Sequence, residues 1–355
     1  RSSDLNTVFG YNEVIPKSLD LIRDSTPLPQ WMTMCTYSLW WILIQRDWYL
    51  YHGNLDYLKE QKNYLCDLLQ LLMTRIGEDG LEKFNDDEGR FLDWPSCENP
   101  LAINAGVQAL VIQAMKAGYE LCSVLGEDML AAKCEAVRRK MVNAAPKVIK
   151  PFLKSGMAPD APGQKQAASL LALTGLISPK EANQKYLSVN GGHGFSTFYG
   201  YYMLQAMAAA GNYQGAIDVI RQYWGAMIDL GATTFWEDFN LDWLPDASRI
   251  DELVATGKKD IHRDYGDHCY KGFRHSLCHG WSSGPTSWLS EHVLGVQVVE
   301  PGCRVVRITP HLGDLEWVEG TFPTPYGQIV IRHEKGADAK VRSRIDAPSE
   351  VKVLQ

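Results

Sequence analysis

Two short segments hold the residues best suited to chemistry: Gly231-Ala232-Thr233-Thr234-Phe235-Trp236-Glu237-Asp238-Phe239 and Ser276-Leu277-Cys278-His279-Gly280-Trp281. Each sets an ionisable side chain, Glu237 or His279, among aromatic and small residues. A carboxylate against indole rings suits a sugar site, where aromatic faces stack on the apolar side of a pyranose and the carboxylate moves the proton. A single carboxylate is not enough, because glycoside hydrolysis ordinarily uses two, an acid and a base or nucleophile.

Other residues could join such a site. Trp236, Trp281 and Trp94 are either ligand platforms or core indoles. Asp93 beside Trp94 is either a second carboxylate in the cavity or an N-cap for a helix starting near Leu101. His279, between Leu277 and Trp281, is either a hydrogen-bonding group or a satisfied core histidine. Gly191-Gly192-His193-Gly194-Phe195-Ser196-Thr197 is a glycine-rich turn before a helix, but no Lys follows the glycines and no strand precedes them, so a phosphate-binding loop is not indicated. Asp264, Asp267 and His268 could reach a cavity rim or bind a cation, though a solvated loop is the simpler reading. Asp86-Asp87-Glu88-Gly89 lacks the alternating spacing of a calcium loop and reads as an acidic turn.

The elements that must position these residues are mostly helical. Leu39–His52, Leu55–Ile76, Ala102–Leu125, Asp128–Phe152, Gln164–Thr174, Pro179–Leu187, Ser196–Ala210, Tyr213–Asp229 and Gly284–Val293 are predicted as helices, most from apolar residues at three- and four-residue spacing. Gly53-Asn54, Gly126, Pro151, Ser178-Pro179, Gly211-Asn212 and Gly231 separate them. The helices come in pairs over short connections, which predicts an (α/α)6 toroid, with about ten of its twelve helices countable. After Gly295 the pattern turns to short near-alternating runs, Arg304–Thr309, Leu315–Phe322, Gly327–His333, Ala339–Ile345 and Glu350–Leu354, predicted as a small antiparallel β-sandwich. The two domains are thus 1–295 and 296–355. Asn240–Lys271, rich in charge and poor in periodicity, reads as a long functional or mobile loop.

Composition narrows the function classes. The 355 residues are 45% hydrophobic and 22% charged, with a net charge of −7 and pI about 5.7, an ordinary globular profile without the basic stripe of a nucleic-acid binder. The longest apolar run, near Tyr37–Ile44, is too short to insert in a membrane. The eight cysteines follow no zinc spacing and read as buried thiols. The chain opens on Arg1 with no signal peptide, so a fragment is expected, and Arg1–Leu5 are set aside as adapter-like.

Together these motifs resemble bacterial α-L-rhamnosidases, the six-hairpin glycosidases of glycoside hydrolase family 78. The resemblance runs from about Tyr11 to Ile345, and the order of its pieces is specific. It is densest in Gly231–Phe239, Ser276–Pro285, Glu300-Pro301-Gly302, Arg307-Ile308-Thr309-Pro310 and Gly320–Gly327, with Gly53-Asn54 before Asp56 and Phe91-Leu92-Asp93-Trp94 in matching places. It implies inverting hydrolysis of terminal α-L-rhamnosyl residues, with Glu237 as general base and His279 contacting the sugar. It also implies a general acid upstream of residue 1, so the 355 residues alone should turn over poorly. It places the stretch around His193 near the sugar and Trp94, Trp236, Trp281 and Asp93 as candidate contacts. Two departures stand out: Cys278 occupies the place of an Asn, and the interval between Glu237 and His279 is lengthened by the charged loop.

The partner implied is a rhamnose-containing glycan or glycoside. No organic cofactor or metal is implied, and the compartment stays open, with a bacterial periplasmic or extracellular setting favoured over a cytoplasmic one. Two other readings are open. One is another six-hairpin carbohydrate enzyme, such as an unsaturated glucuronyl hydrolase or a polysaccharide lyase, with Arg249, Arg263, Lys271 or Arg274 meeting a uronate. The other is a non-catalytic glycan-binding relative.

Overall fold

The computed structural model describes residues 5–25, 34–85, 88–258, 260–261 and 276–355. The charged segment with Arg263, Asp264, Asp267, His268, Lys271 and Arg274 lies outside the described residues, as do Asp86 and Asp87.

The helices are α1 (Val14–Ser25), α2 (Cys35–His52), α3 (Leu55–Thr74), α4 (Pro100–Val124), α5 (Asp128–Ala144), α6 (Pro146–Leu153), α7 (Gln164–Leu173), α8 (Pro179–Ala182), α9 (Gly200–Ala209), α10 (Tyr213–Asp229) and α11 (Gly284–Trp288). π-type turns extend α8 through Leu187 and α11 through Val293. An inner layer runs α2, α4, α7, α9, α11, each packing on the next, and α3, α5, α8 and α10 lie outside it. This alternation is the helical toroid expected from the paired helices.

Patterning explains the layers. Inner helix α4 is apolar nearly all round and buries residues on every side, from Ala102 to Cys122, as a helix enclosed by neighbours must. Outer helices α3 and α10 carry one apolar stripe each. Local signals fix their starts: the side chains of Asn54, Asn99 and Asn212 accept from the backbone N–H of Tyr57, Ala102 and Gly215, each such cap contributing about 1 kcal/mol. The stretch Asp128–Phe152 is two helices rather than one. Pro146 takes the first turn of α6, where its missing N–H costs nothing.

Beyond the toroid, β1 (Val296–Val298), β2 (Val305–Ile308) and β6 (Lys352–Leu354) form one sheet, and β3 (Trp317–Thr324), β4 (Gly327–Lys335) and β5 (Val341–Asp346) another. β2 pairs antiparallel with β1 and parallel with β6, so one pairing departs from the all-antiparallel expectation. Leu294, Val296, Val306, Ile308, Phe322, Ile329 and Ile331 form a separate core between the sheets. Gly53 and Gly302 hold this unit to the end of α2. Both adopt positive φ, and a Cβ on Gly53 would stand 2.9 Å from the Gly302 Cα, so only glycine permits the approach.

The inner helices share a direction, and their N-terminal ends gather Asp93–Asn99, Gly163–Gln166, Ser196–Gly200 and the segments around Glu237 and His279 at one mouth of the toroid. Asp93, Trp94, Glu237, His279 and Trp281 lie on or beside these connections.

Candidate active site

The two motif segments lie side by side. Glu237 N–H donates to the Ser276 carbonyl at 2.8 Å, and His279 N–H to the Phe235 carbonyl at 2.7 Å. Ser276 N–H returns a 3.1 Å bond to Glu237 Oε2, and the Thr234 hydroxyl donates to the Leu277 carbonyl. Two further donors hold the Glu237 carbonyl: Trp281 Nε1 at 2.5 Å and Thr197 Oγ1 at 2.6 Å. The backbone at Glu237 is therefore fixed from three elements. Its side chain keeps 17% exposure and lines a cleft with Tyr37, Phe91, Asp93, Trp94, Phe198, Asp238 and Trp281.

The cleft encloses about 40 Å³, room for a water or two. Aromatic rings form most of its wall: Phe91 meets Trp94 edge-on at 4.9 Å, and Phe198 meets Trp281 at 5.9 Å. His279 Nδ1 lies 3.9 Å from Glu237 Oε2, and its ring sits 4.4 Å from that of Trp281. Burial pushes the His279 imidazole below its usual range, and the nearby Glu237 charge only partly offsets this.

Asp93 forms the far wall and is fully engaged. It accepts from Ser196 Oγ at 2.6 Å, Gln166 Nε2 at 3.1 Å and Ser96 N–H at 3.1 Å. Burial raises its carboxyl pKa, and these donors pull it back. It caps the single turn Trp94–Ser96 in a reciprocal box with Ser96, whereas the helix after Leu101 is capped by Asn99. Asp93 thereby ties together the starts of α4, α7 and α9. Gly106 supports the same loop: a Cβ there would meet the Leu92 side chain at 2.5 Å.

Two expected contacts lie elsewhere. Trp236 is completely buried, packing edge-on to Phe239 at 5.9 Å, so its ring serves the core and offers no face to a ligand. His193 stands outside the cleft wall, with Nδ1 2.8 Å from Asp242 Oδ1. Tyr37, Phe91, Phe198 and Thr197 were not singled out from sequence. Phe91 and Thr197 sit inside stretches that were, and the ring of Phe198 directly follows.

A larger cleft of about 610 Å³ opens near the C-terminal ends of α2 and α4. Its charged residues neutralise one another, as in Arg46 with Glu120 and Glu135 with Arg138 and Arg139, and no lone carboxylate faces an aromatic wall. Among the described residues, no group of three or more His, Cys, Asp or Glu side chains could hold a metal, and no helix is long and apolar enough to cross a membrane.

Comparisons with known proteins bear on the fold that holds these residues. Residues 295–354 match the family described as "Bacterial alpha-L-rhamnosidase C-terminal domain". The crystal structure of a GH78 family rhamnosidase of Bacillus sp. GL1 superposes with a TM-score of 0.73 at 23% identity, covering 97% of this chain and 36% of that one. An α-L-rhamnosidase from Dictyoglumus thermophilum gives 0.73 at 19% identity, covering 99% and 39%. The Streptomyces avermitilis α-L-rhamnosidase complexed with L-rhamnose gives 0.64 at 18%, covering 88% and 28%. No curated protein sequence matches. The chain spans less than two fifths of the length of these three structures. It is rhamnosidase-like, with their helical toroid and β unit over nearly all of its own length and the rhamnosidase C-terminal domain in residues 295–354.

Proposed function

We propose that this chain is part of an inverting α-L-rhamnosidase-type glycoside hydrolase in which Glu237 is the general base. One observation carries the reading: a backbone-anchored, partly exposed carboxylate opens on a water-sized cleft walled by Trp94, Trp281, Phe91 and Phe198. A base in this reaction takes a proton from a water that attacks the anomeric carbon opposite the leaving group. The cleft offers that water a place beside the Glu237 carboxylate, which Ser276 N–H orients through Oε2. The rhamnosyl ring would lie at the mouth, its apolar face on Trp94 or Trp281 and a hydroxyl within reach of His279.

Inversion needs a carboxylic acid some 6.5–9.5 Å from the base, across the bond being cut. Asp93 is a poor acid, with both oxygens occupied inside the wall. We assign it to holding the cleft in shape, and take the acid to be a carboxyl group other than Asp93. The similarity to solved α-L-rhamnosidases supports the sugar. Among the described residues that line the cleft none is Lys or Arg, so nothing there favours a uronate in place of a neutral deoxysugar. The test is product stereochemistry: the full-length protein, given an aryl α-L-rhamnoside, should release β-L-rhamnose first, followed by NMR before mutarotation. Release of the α anomer would overturn the assignment.

A further inference from the structure

The outer face of the second sheet carries an unusual charge arrangement. Residues alternate cleanly between its faces. Phe322, Ile329, Ile331 and His333 turn inward and are buried, and Trp317, Glu319, Arg332, Glu334, Arg342 and Arg344 share the outer face. The strand register sets these in rows: Trp317 beside Glu334 beside Arg342, and Glu319 beside Arg332 beside Arg344. Arg332 directly opposes Arg344, and like charges opposite each other on neighbouring strands are unfavourable. Arg332 already satisfies the carboxylates within reach, at 2.6 Å from Glu319 and 3.6 Å from Glu334. Its guanidinium also lies 4.9 Å from the Trp317 ring, which stays half exposed. Arg344 is exposed and makes no ion pair among the described residues. Arg342 is 74% exposed, with only a 3.8 Å contact to Asp338. These arginines, with Glu334, Lys335 and Ser343, line an open groove of about 480 Å³ along β5, one of the sheet's two edge strands. Asp346 stands one row beyond.

From this juxtaposition we infer that the outer face of β3-β4-β5 is a second, non-catalytic glycan site that takes a carboxylate-bearing polysaccharide, a chain of uronate residues. A carboxylate between Arg344 and Arg332 would relieve their opposition and gain bidentate guanidinium bonds. Trp317 would supply the stacking surface a sugar ring needs. A flat face running along an edge strand suits an extended chain better than a compact ligand. The site adds substrate anchoring to the glycosidase reading above, but its binding involves no group of the catalytic cleft.

The test is affinity electrophoresis of the 355-residue chain through gels containing polygalacturonate, dextran or poly-L-glutamate. With a net charge of −7 the chain as a whole is repelled by a polyanion, so retardation must come from a local surface. Polygalacturonate should retard the chain and the other two should not. R342Q/R344Q should weaken that retardation at least tenfold, and W317A several-fold, while Glu237→Gln leaves it unchanged. All three surface substitutions are exposed, and circular dichroism checks that the fold survives. Equal retardation of the double variant, equal retardation by poly-L-glutamate, or none by polygalacturonate would overturn the inference and leave the hydrolase assignment standing.

Discussion

Glu237 Oε2 lies 3.9 Å from His279 Nδ1 although the two residues are 42 positions apart, and their backbones are hydrogen bonded to one another's segments. The pair is therefore fixed by main-chain geometry rather than by the charge attraction between the side chains. A conservative change at either side chain should alter chemistry and leave the local fold in place.

His279 is held toward its neutral form by burial. In the full-length protein His279→Asn should raise KM on an aryl α-L-rhamnoside by about 10–100-fold, the loss of one or two hydrogen bonds to a hydroxyl, with a smaller change in kcat. Because the imidazole pKa is lowered, the wild-type imidazole protonates only at acid pH. An acid limb in the pH profile of kcat/KM should therefore fall below the usual histidine range and change shape in the variant. Steady-state kinetics across pH checks both.

The 355-residue chain by itself should hydrolyse rhamnosides with poor leaving groups about 10²–10⁴-fold more slowly than the full-length protein, the usual contribution of a general acid. That deficit should shrink for a dinitrophenyl rhamnoside, whose leaving group needs no proton. A constant deficit across leaving groups would place the acid within these residues.

Asp93 receives three donors inside the wall. Asp93→Asn replaces one accepting oxygen with an amide that faces donors, which should cost about 2–4 kcal/mol. Denaturant unfolding should show this loss. Activity should fall too, through disorder of the Trp94 loop.

A separate pH effect belongs to Glu291, in the turn after α11. It accepts from Tyr201 at 2.9 Å and Tyr51 at 3.3 Å, and also from Gln205. Burial pushes its carboxyl up to about 7. Since the folded pKa exceeds the unfolded one, the contribution to stability is fully present below about pH 4.5 and is lost as pH rises through 7. The loss should be about 2 kcal/mol, allowing for partial exposure. Stability measured between pH 4.5 and 8 should fall accordingly, and Glu291→Gln should flatten that part of the curve.

Much of the helical layer was legible because its signals are local. Tyr213–Asp229 has the predicted bounds since Asn212 caps it and one apolar stripe runs its length. The division of Asp128–Phe152 turned on Pro146, which fits the first turn of a new helix but not the interior of one continuous helix. The parallel β2–β6 pair was not legible, since Val305–Ile308 and Lys352–Leu354 meet through register rather than local pattern. Within the cleft, Glu237, His279, Trp94 and Trp281 stood out as ionisable or indole groups in dense motifs. Trp236 stood out equally and belongs to the core, because adjacent residues in an extended segment point to opposite sides. Phe198 reads as an ordinary apolar residue of a helical stretch and Tyr37 as the start of an apolar run, and only the helix arrangement turns them to the cleft.

The most direct test of the assignment of Glu237 is chemical rescue in the full-length protein. Glu237→Ala with an activated aryl α-L-rhamnoside should lose about 10²–10⁴-fold in kcat. Added azide should restore turnover by attacking from the emptied side, giving β-L-rhamnosyl azide. Near wild-type turnover in the variant, or an α-configured azide product, would show that Glu237 is not the base.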